Sequence, residues 1–163
     1  MSRHIIVMVE DSRDDALLIR RRFKEYLDPS YQLVHCSSME DALIYVKENK
    51  HDIELILLDL GLPDTKGGVD TFQHMKQHSA EIPVVILTSV EDHHLANQLV
   101  KEGAEDFVNK SLLYEKPKLL RDAIDFSITR HRLLANMSKQ TMAALAEKDM
   151  VINWMGGGYS MQK

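Results

Sequence analysis

Residues 55–64 read LILLDLGLPD. Four apolar residues, Leu55 to Leu58, run straight into one carboxylate, Asp59, and then into Gly61-Leu62-Pro63-Asp64, a turn. A continuous apolar run closed by turn residues predicts a strand buried on both faces. An acid at its end sits where the chain leaves the core, at the carboxyl edge of a sheet. In open parallel sheets ligands bind at that edge.

The rest of the chain repeats this plan. Ile5 to Val9 predicts a first strand, closed by Glu10 and Asp11. Ser12 and Asp15 have capping spacing and open a helix whose apolar face is Ala16, Ile19, Phe23 and Leu27. Asp28-Pro29-Ser30 ends that helix. Tyr31 to Cys36 is a second strand, with no acid after it. Ser38 and Asp41 repeat the capping spacing for a helix carrying Ala42, Leu43 and Val46 to about Asn49. Ile53 to Leu58 is the third strand. Gly67-Gly68 breaks the chain before a helix marked by Val69, Phe72 and Met75. Pro83 opens a fourth strand, Val84 to Leu87, ending at Thr88. Asp92 is placed to cap the next helix, with Ala96, Leu99 and Val100 as its inner face and Gly103 as its terminator. Asp106 to Asn109 is a short fifth strand ending at Lys110. From about Lys116 the pattern is helical to about Ile152, and Gly156-Gly157-Gly158 signals a flexible tail. Five alternations of strand and helix predict a doubly wound α/β fold, a parallel sheet with helices on both faces. Strand order does not follow from this pattern.

Bulk composition narrows the function. The chain has 163 residues, 44% of them hydrophobic, enough for one domain and an appendage. Its formal net charge of -5 disfavours a nucleic-acid or membrane surface. Cys36 is the single cysteine, so no internal disulfide forms. No stretch approaches the roughly 20 apolar residues of a membrane span. The opening MSRHIIVMVED meets acid too soon for the core of a signal sequence. We expect a cytoplasmic protein with no nucleic-acid or membrane partner.

Four of the five predicted strands end in reactive side chains: Glu10 and Asp11, Asp59, Thr88, and Lys110. In a parallel sheet such ends share one edge. Carboxylates crowded together need a cation, and oxygen-only ligands suit Mg²⁺, or Mn²⁺ in its place. Asp59 is then a candidate nucleophile for a phosphoryl group, with Lys110 and Thr88 as donors to its oxygens. Each residue also has an ordinary reading: Glu10 and Asp11 as acids favoured near a helix N-terminus, Thr88 as a turn residue, Phe107 as core. His93 and His94, beside Glu91 and Asp92, read as surface residues, since adjacent side chains do not share a helix face. Met8, Met39, Met75 and Cys36 read as core.

As a set, Glu10-Asp11, LLDLGLPD around Asp59, VVILTS around Thr88 and GAEDFVNK leading to Lys110 resemble the receiver domain of bacterial two-component response regulators. The resemblance covers roughly Ser2 to His131. It implies a five-stranded, CheY-like (flavodoxin-like) sheet of order 2-1-3-4-5. It also implies Asp59 as phosphoacceptor from a sensor histidine kinase or histidine phosphotransfer protein. Mg²⁺ would be held by Glu10 (directly or through its water), Asp11, Asp59 and the backbone carbonyl of Gly61. Thr88 and Phe107 would be the switch pair that signals to a downstream effector. Such a receiver labels itself weakly from small phosphodonors and hydrolyses its own acyl phosphate, without being a conventional enzyme. Ser89, Gly61 and Val90 would govern access and hydrolysis.

Two departures stand out. The family usually carries proline after the lysine, joined by a cis bond, and Ser111 is here instead; a non-proline cis bond costs about 2.5–4 kcal/mol. Glu10 replaces the commoner aspartate. Three competing functions weigh less. A haloacid-dehalogenase-type phosphotransferase wants a second carboxylate where Gly61 stands. A flavodoxin-type flavin module would find Glu10, Asp11, Asp14 and Asp15 repelling its phosphate. A phosphorylation-independent interaction module of the same fold is favoured only by Ser111.

We expect the receiver to span residues 1–134 and a helical extension to span 135–163. Leu134, Met137, Thr141, Ala144, Lys148 and Val151 have heptad spacing, with Leu133, Leu145 and Ile152 alongside, although Thr141 and Lys148 make a poor seam. Three roles fit this segment: a parallel helix pair forming a homodimer, a helix folded on the receiver, or a linker to an output domain. LLANMSK (Leu133 to Lys139) resembles the start of a kinase phosphoacceptor helix, but Lys139 stands in the histidine's place, so no kinase activity follows. Trp154 and the glycine run suggest no function.

Overall fold

The computed structural model describes residues 4–89 and 93–156. The five apolar runs form strands β1 (His4–Val9), β2 (Tyr31–Cys36), β3 (Ile53–Asp59), β4 (Val84–Thr88) and β5 (Asp106–Asn109). All pair in parallel, in the order β2-β1-β3-β4-β5. Between them run α1 (Arg13–Tyr26), α2 (Met39–Asn49), α3 (Gly68–Ser79) and α4 (His93–Lys101); a 3-10 helix (Lys110–Leu113) and α5 (Leu119–Gly156) follow β5. This is the expected flavodoxin-like architecture with a long C-terminal helix.

Side chains alternate across a strand, so each strand feeds two cores. Val7, Val9, Ile56, Leu58, Val84 and Ile86 pack on the side of α2, α3 and α4, against residues such as Val46, Phe72 and Leu99. Ile6, Met8, Leu55, Leu57, Val85 and Leu87 pack on the other side against α1 and the start of α5, with Ile19, Phe23, Leu120 and Ile124. The central strands are buried on both faces, which explains their unbroken apolar sequence. β2 is an edge strand and is only half-buried. Met8, Met39, Met75 and Cys36 are buried, as read from the sequence.

The caps follow the predicted chemistry. Ser12 Oγ accepts from the Asp15 backbone N–H at 3.3 Å, and Ser38 Oγ from that of Asp41 at 3.1 Å. Each satisfies one of the N–H groups that a helix start leaves without a partner. Gly67 precedes α3 at φ 138°, a conformation that favours glycine.

Some expectations need correction. Val100 does not face the core; it is 46% exposed, and half-buried Leu95 joins Ala96 and Leu99 on the inner face of α4 instead. α5 begins at Leu119, not Lys116, because Pro117 disfavours helical geometry in the residue before it. It also runs on through Gly156, past the expected end near Ile152. The proposed cap Asp92, its neighbours Val90 and Glu91, and Gly157-Gly158 lie outside the described residues.

The chain divides into two units, Met1–Ile128 and Thr129–Lys163. In the first, Leu120, Ala123, Ile124 and Ile128 of α5 are buried. In the second, the described side chains from Arg132 onward are exposed. No helix among the described residues is long and apolar enough to cross a membrane.

Candidate functional site at the carboxyl edge of the sheet

Because β1, β3, β4 and β5 are consecutive in the sheet, their ends open onto one cleft. The cleft has a volume of about 480 Å³ and takes in Glu10, Asp11, Asp59, Gly61, Thr88 and Lys110. Ser12, Asp15 and Ser89 also line it. Six of the seven residues read from the sequence therefore come together; the seventh, Phe107, is not a lining residue. It lies on the edge strand β5, opposite Ile86, and is 38% exposed.

Carboxylate oxygens of Glu10, Asp11 and Asp59 lie within 4.8 Å of one another. Glu10 and Asp59 are buried, whereas Asp11 is exposed. Lys110 reaches into this group from the end of β5. Its Nζ donates to Glu10 Oε2 at 2.8 Å and to Asp59 Oδ1 at 3.2 Å. It also lies 2.7 Å from Asp15 Oδ2.

The electrostatics follow from that packing. Burial pushes the Asp59 carboxyl above its ordinary range; Lys110 and the Gly61 backbone amide oppose that shift, and Asp11 adds to it. Burial likewise raises Glu10, against the hydrogen bond from Lys110, while the charge of Asp59 raises it further. Burial alone would lower the Lys110 ammonium, but hydrogen bonds to Asp15 and Glu10 and the charge of Asp59 overcome it and raise its pKa. The lysine is therefore firmly cationic. One ammonium contacts Glu10, Asp15 and Asp59, and Asp11 also lines the cleft, so acids outnumber the cation there. Its metal-facing donors are all oxygens. That donor set fits a hard divalent cation such as Mg²⁺ and gives no thiolate or imidazole for a softer one.

The backbone holds these side chains in place. Glu10 is fixed at both ends: its N–H donates to Cys36 O at 3.0 Å, and its Oε1 accepts from Ser12 N–H at 3.0 Å. His35 Nε2 donates to the Glu10 carbonyl at 2.7 Å, which leaves Nδ1 to face Arg20 at 3.4 Å. Asp59 lies opposite Leu87, so Thr88 is one step further along the neighbouring strand, and Asn109 lies opposite Thr88. The loop after β3 is tied by Thr71, whose hydroxyl bonds the Gly67 carbonyl at 2.8 Å and the Thr65 hydroxyl at 2.5 Å.

The Lys110–Ser111 peptide is trans, as are all those described. Asn109 makes that turn workable. Its Oδ1 accepts from Ser111 N–H at 3.0 Å and Ser111 Oγ at 2.7 Å, capping the 3-10 helix that carries the chain away. Serine thus closes the turn through a hydrogen bond that proline could not donate.

Asp15 lines the cleft and contacts Lys110, although the sequence marks it as a capping residue and one of the acids that would repel a flavin's phosphate. The missed signal was its place in the first turn of α1, close in sequence to the strand-end acids Glu10 and Asp11. His94, read from the sequence as a surface residue, is exposed. Among the described residues the only candidate metal cluster is Glu10, Asp11 and Asp59.

The family model of the response regulator receiver domain matches residues 6–125. The chain is 31% identical over 121 residues to methanogenesis regulatory protein FilR1 of Methanothrix harundinacea, covering 73% of this chain and 27% of that protein. It is 27% identical over 112 residues to transcriptional regulatory protein PhoP of Escherichia coli, covering 68% of this chain and 47% of that one. Matches thus span about a quarter to about half of these curated relatives. A signal receiver domain from Vibrio parahaemolyticus superposes with a TM-score of 0.69 at 29% identity, over 83% of this chain and 97% of that one. A response regulator receiver domain protein from Clostridium thermocellum superposes at 0.68 with 24% identity, over 80% and 98%.

Proposed function

The chain belongs to the response regulator receiver family, and from that premise we propose that it is a phosphoacceptor switch with Asp59 as acceptor. The observation that carries the reading is the convergence of Glu10, Asp11, Asp59, Thr88 and Lys110 in one cleft at the ends of four adjacent strands. A carboxylate oxygen of Asp59 attacks the phosphorus of a phosphohistidine donor. The new O–P bond forms as the P–N bond breaks, and the electron pair leaves with the imidazole, which is protonated. The product is an acyl phosphate.

Each side chain has a part in that step. Lys110 is already hydrogen-bonded to Asp59 and turns its ammonium toward an incoming phosphoryl oxygen. Thr88, at the mouth of the cleft, donates its hydroxyl to another. Glu10, Asp11, Asp59 and the Gly61 carbonyl would hold Mg²⁺, which neutralises phosphoryl charge when bound. Small Ser89 leaves the acceptor accessible to donor and water, so self-labelling from small phosphodonors and self-hydrolysis both follow. Phosphorylation adds about -1.5 to -2 charge. Thr88 moves toward that charge, and the half-exposed Phe107 ring turns inward behind it. The surface formed by β4, α4 and β5 then changes for a downstream effector. A sensor histidine kinase or phosphotransfer protein supplies the phosphoryl group, in a cytoplasmic setting.

Labelling by acetyl phosphate or phosphoramidate, followed by intact-mass measurement, tests the assignment. The native chain gains one phosphoryl mass with Mg²⁺ and loses that gain under chelation, while Asp59→Asn stays unlabelled. Equal labelling of Asp59→Asn would refute Asp59 as acceptor.

A further inference from the structure

The second unit carries an apolar stripe that the described residues leave exposed. Leu133, Leu134, Met137, Leu145, Val151, Ile152 and Met155 are each 53–67% exposed. At about 100° per residue they fall, with Ala144, within roughly a third of the helix circumference. The helix from Thr129 to Gly156 is about 40 Å long, and the stripe runs along most of it, interrupted by Thr141 and Lys148. Monomeric proteins seldom leave so long an apolar face in water.

We infer that a second copy of this chain covers the stripe, as a parallel, in-register, two-stranded coiled coil. Leu134, Thr141, Lys148 and Met155 then take the a positions, and Met137, Ala144 and Val151 the d positions. Charge decides both the occupant and the direction. In a parallel pair the hole that receives an a residue is built by the preceding d and g and the same a and d of the other helix. For Lys148 these are Ala144, Glu147, Lys148 and Val151 of the second copy. Each seam lysine thus meets Glu147 across the pair, twice by symmetry. In an antiparallel pair centred on the same stripe, Lys148 lies near Thr141 and has no acid to meet. A single lysine at an a position costs stability but fixes register and strand number. The residue that looked like a flaw in the seam is its specificity device.

Oligomeric state tests the inference on the full chain, without phosphodonor, so the result is independent of the acceptor assignment. Light scattering should give the mass of a dimer. The one tryptophan, Trp154, is 84% exposed and flanks the seam at a g position, so its emission should shift to the blue as concentration rises. Lys148→Glu should raise the dimer dissociation constant at least roughly tenfold, because two glutamates per copy then crowd the same holes. Glu147→Lys with Lys148→Glu should restore it. Adjacent residues do not face each other on one helix, so that rescue can come only from across the pair. A monomer, a larger assembly, or a charge swap that fails to rescue would overturn the inference.

Discussion

The two units of this chain treat polar and apolar groups in opposite ways. In Met1–Ile128 most apolar side chains are buried in two layers, and the charged groups drawn inside, Glu10 and Asp59, are both hydrogen-bonded by Lys110. In Thr129–Lys163 the described apolar side chains lie outside. A sheet recruits partners from distant sequence and can form its own interior. A single helix has only itself, and an isolated helix is marginal in water however good its propensity. The first unit carries its stability within it; the second must find it elsewhere.

The sharpest test of that contrast sets one leucine against another. Leu57→Ala, in the fully buried stretch of β3, should destabilise the receiver by about 2–5 kcal/mol, counting the cavity left behind. Leu145→Ala, on the exposed stripe, should change receiver stability by no more than about 0.5 kcal/mol at dilutions where the chain is monomeric. Urea melts of both variants measure this; comparable losses would erase the distinction between the units.

A smaller effect probes the ammonium at the cleft. Asp15→Ala removes one of three carboxylates around Lys110 while Glu10 and Asp59 remain. A loss of about 1–2 kcal/mol is expected, at the low side of the roughly 1.5–3 kcal/mol for a hydrogen bond to a charged group because Asp15 is partly exposed. Labelling should persist, since Asp59 is intact. A loss near zero in urea melts would mean that Asp15 is ornamental.

The smallest effect is a pH dependence. Glu10 and Asp59 have carboxyl pKa values raised by burial. The folded chain therefore keeps protons that the unfolded chain releases. Their contribution is fully present below the ordinary carboxylate range and is lost as pH rises through the folded values. Asp59→Asn removes one such group, so it should be more stable than the native chain near pH ~7 in chelator, with the gain shrinking toward pH ~4. A gain that did not vary with pH would point away from the buried charge.

Much of the first unit was legible in its residues. Apolar runs ending in acids marked the strands, and serines with acids three residues on marked the helix starts. β2 and β5 fell on their expected residues because turn signals bracket them. What local patterns do not carry is pairing: sheet order had to come from family resemblance, since parallel crossovers leave no mark of register in sequence. Val100 was misplaced because α4 is short and amphipathic spacing over so few turns does not fix which flank faces inward. Asp15 was hidden because one residue does two jobs, its amide serving the cap and its carboxylate the lysine. The geometry around Ser111 was unreadable for a related reason: Asn109 had to be recognised as the group that closes the turn.

That double role of Asp15 links chemistry to a helix. While its carboxylate holds the lysine, one charge in the leading turn of α1 is already answered. Whatever draws the ammonium away uncovers a negative charge at the positive end of that helix, where it is well received. The first turn of α1 and the cleft therefore share one carboxylate, so the occupancy of one bears on the charge of the other.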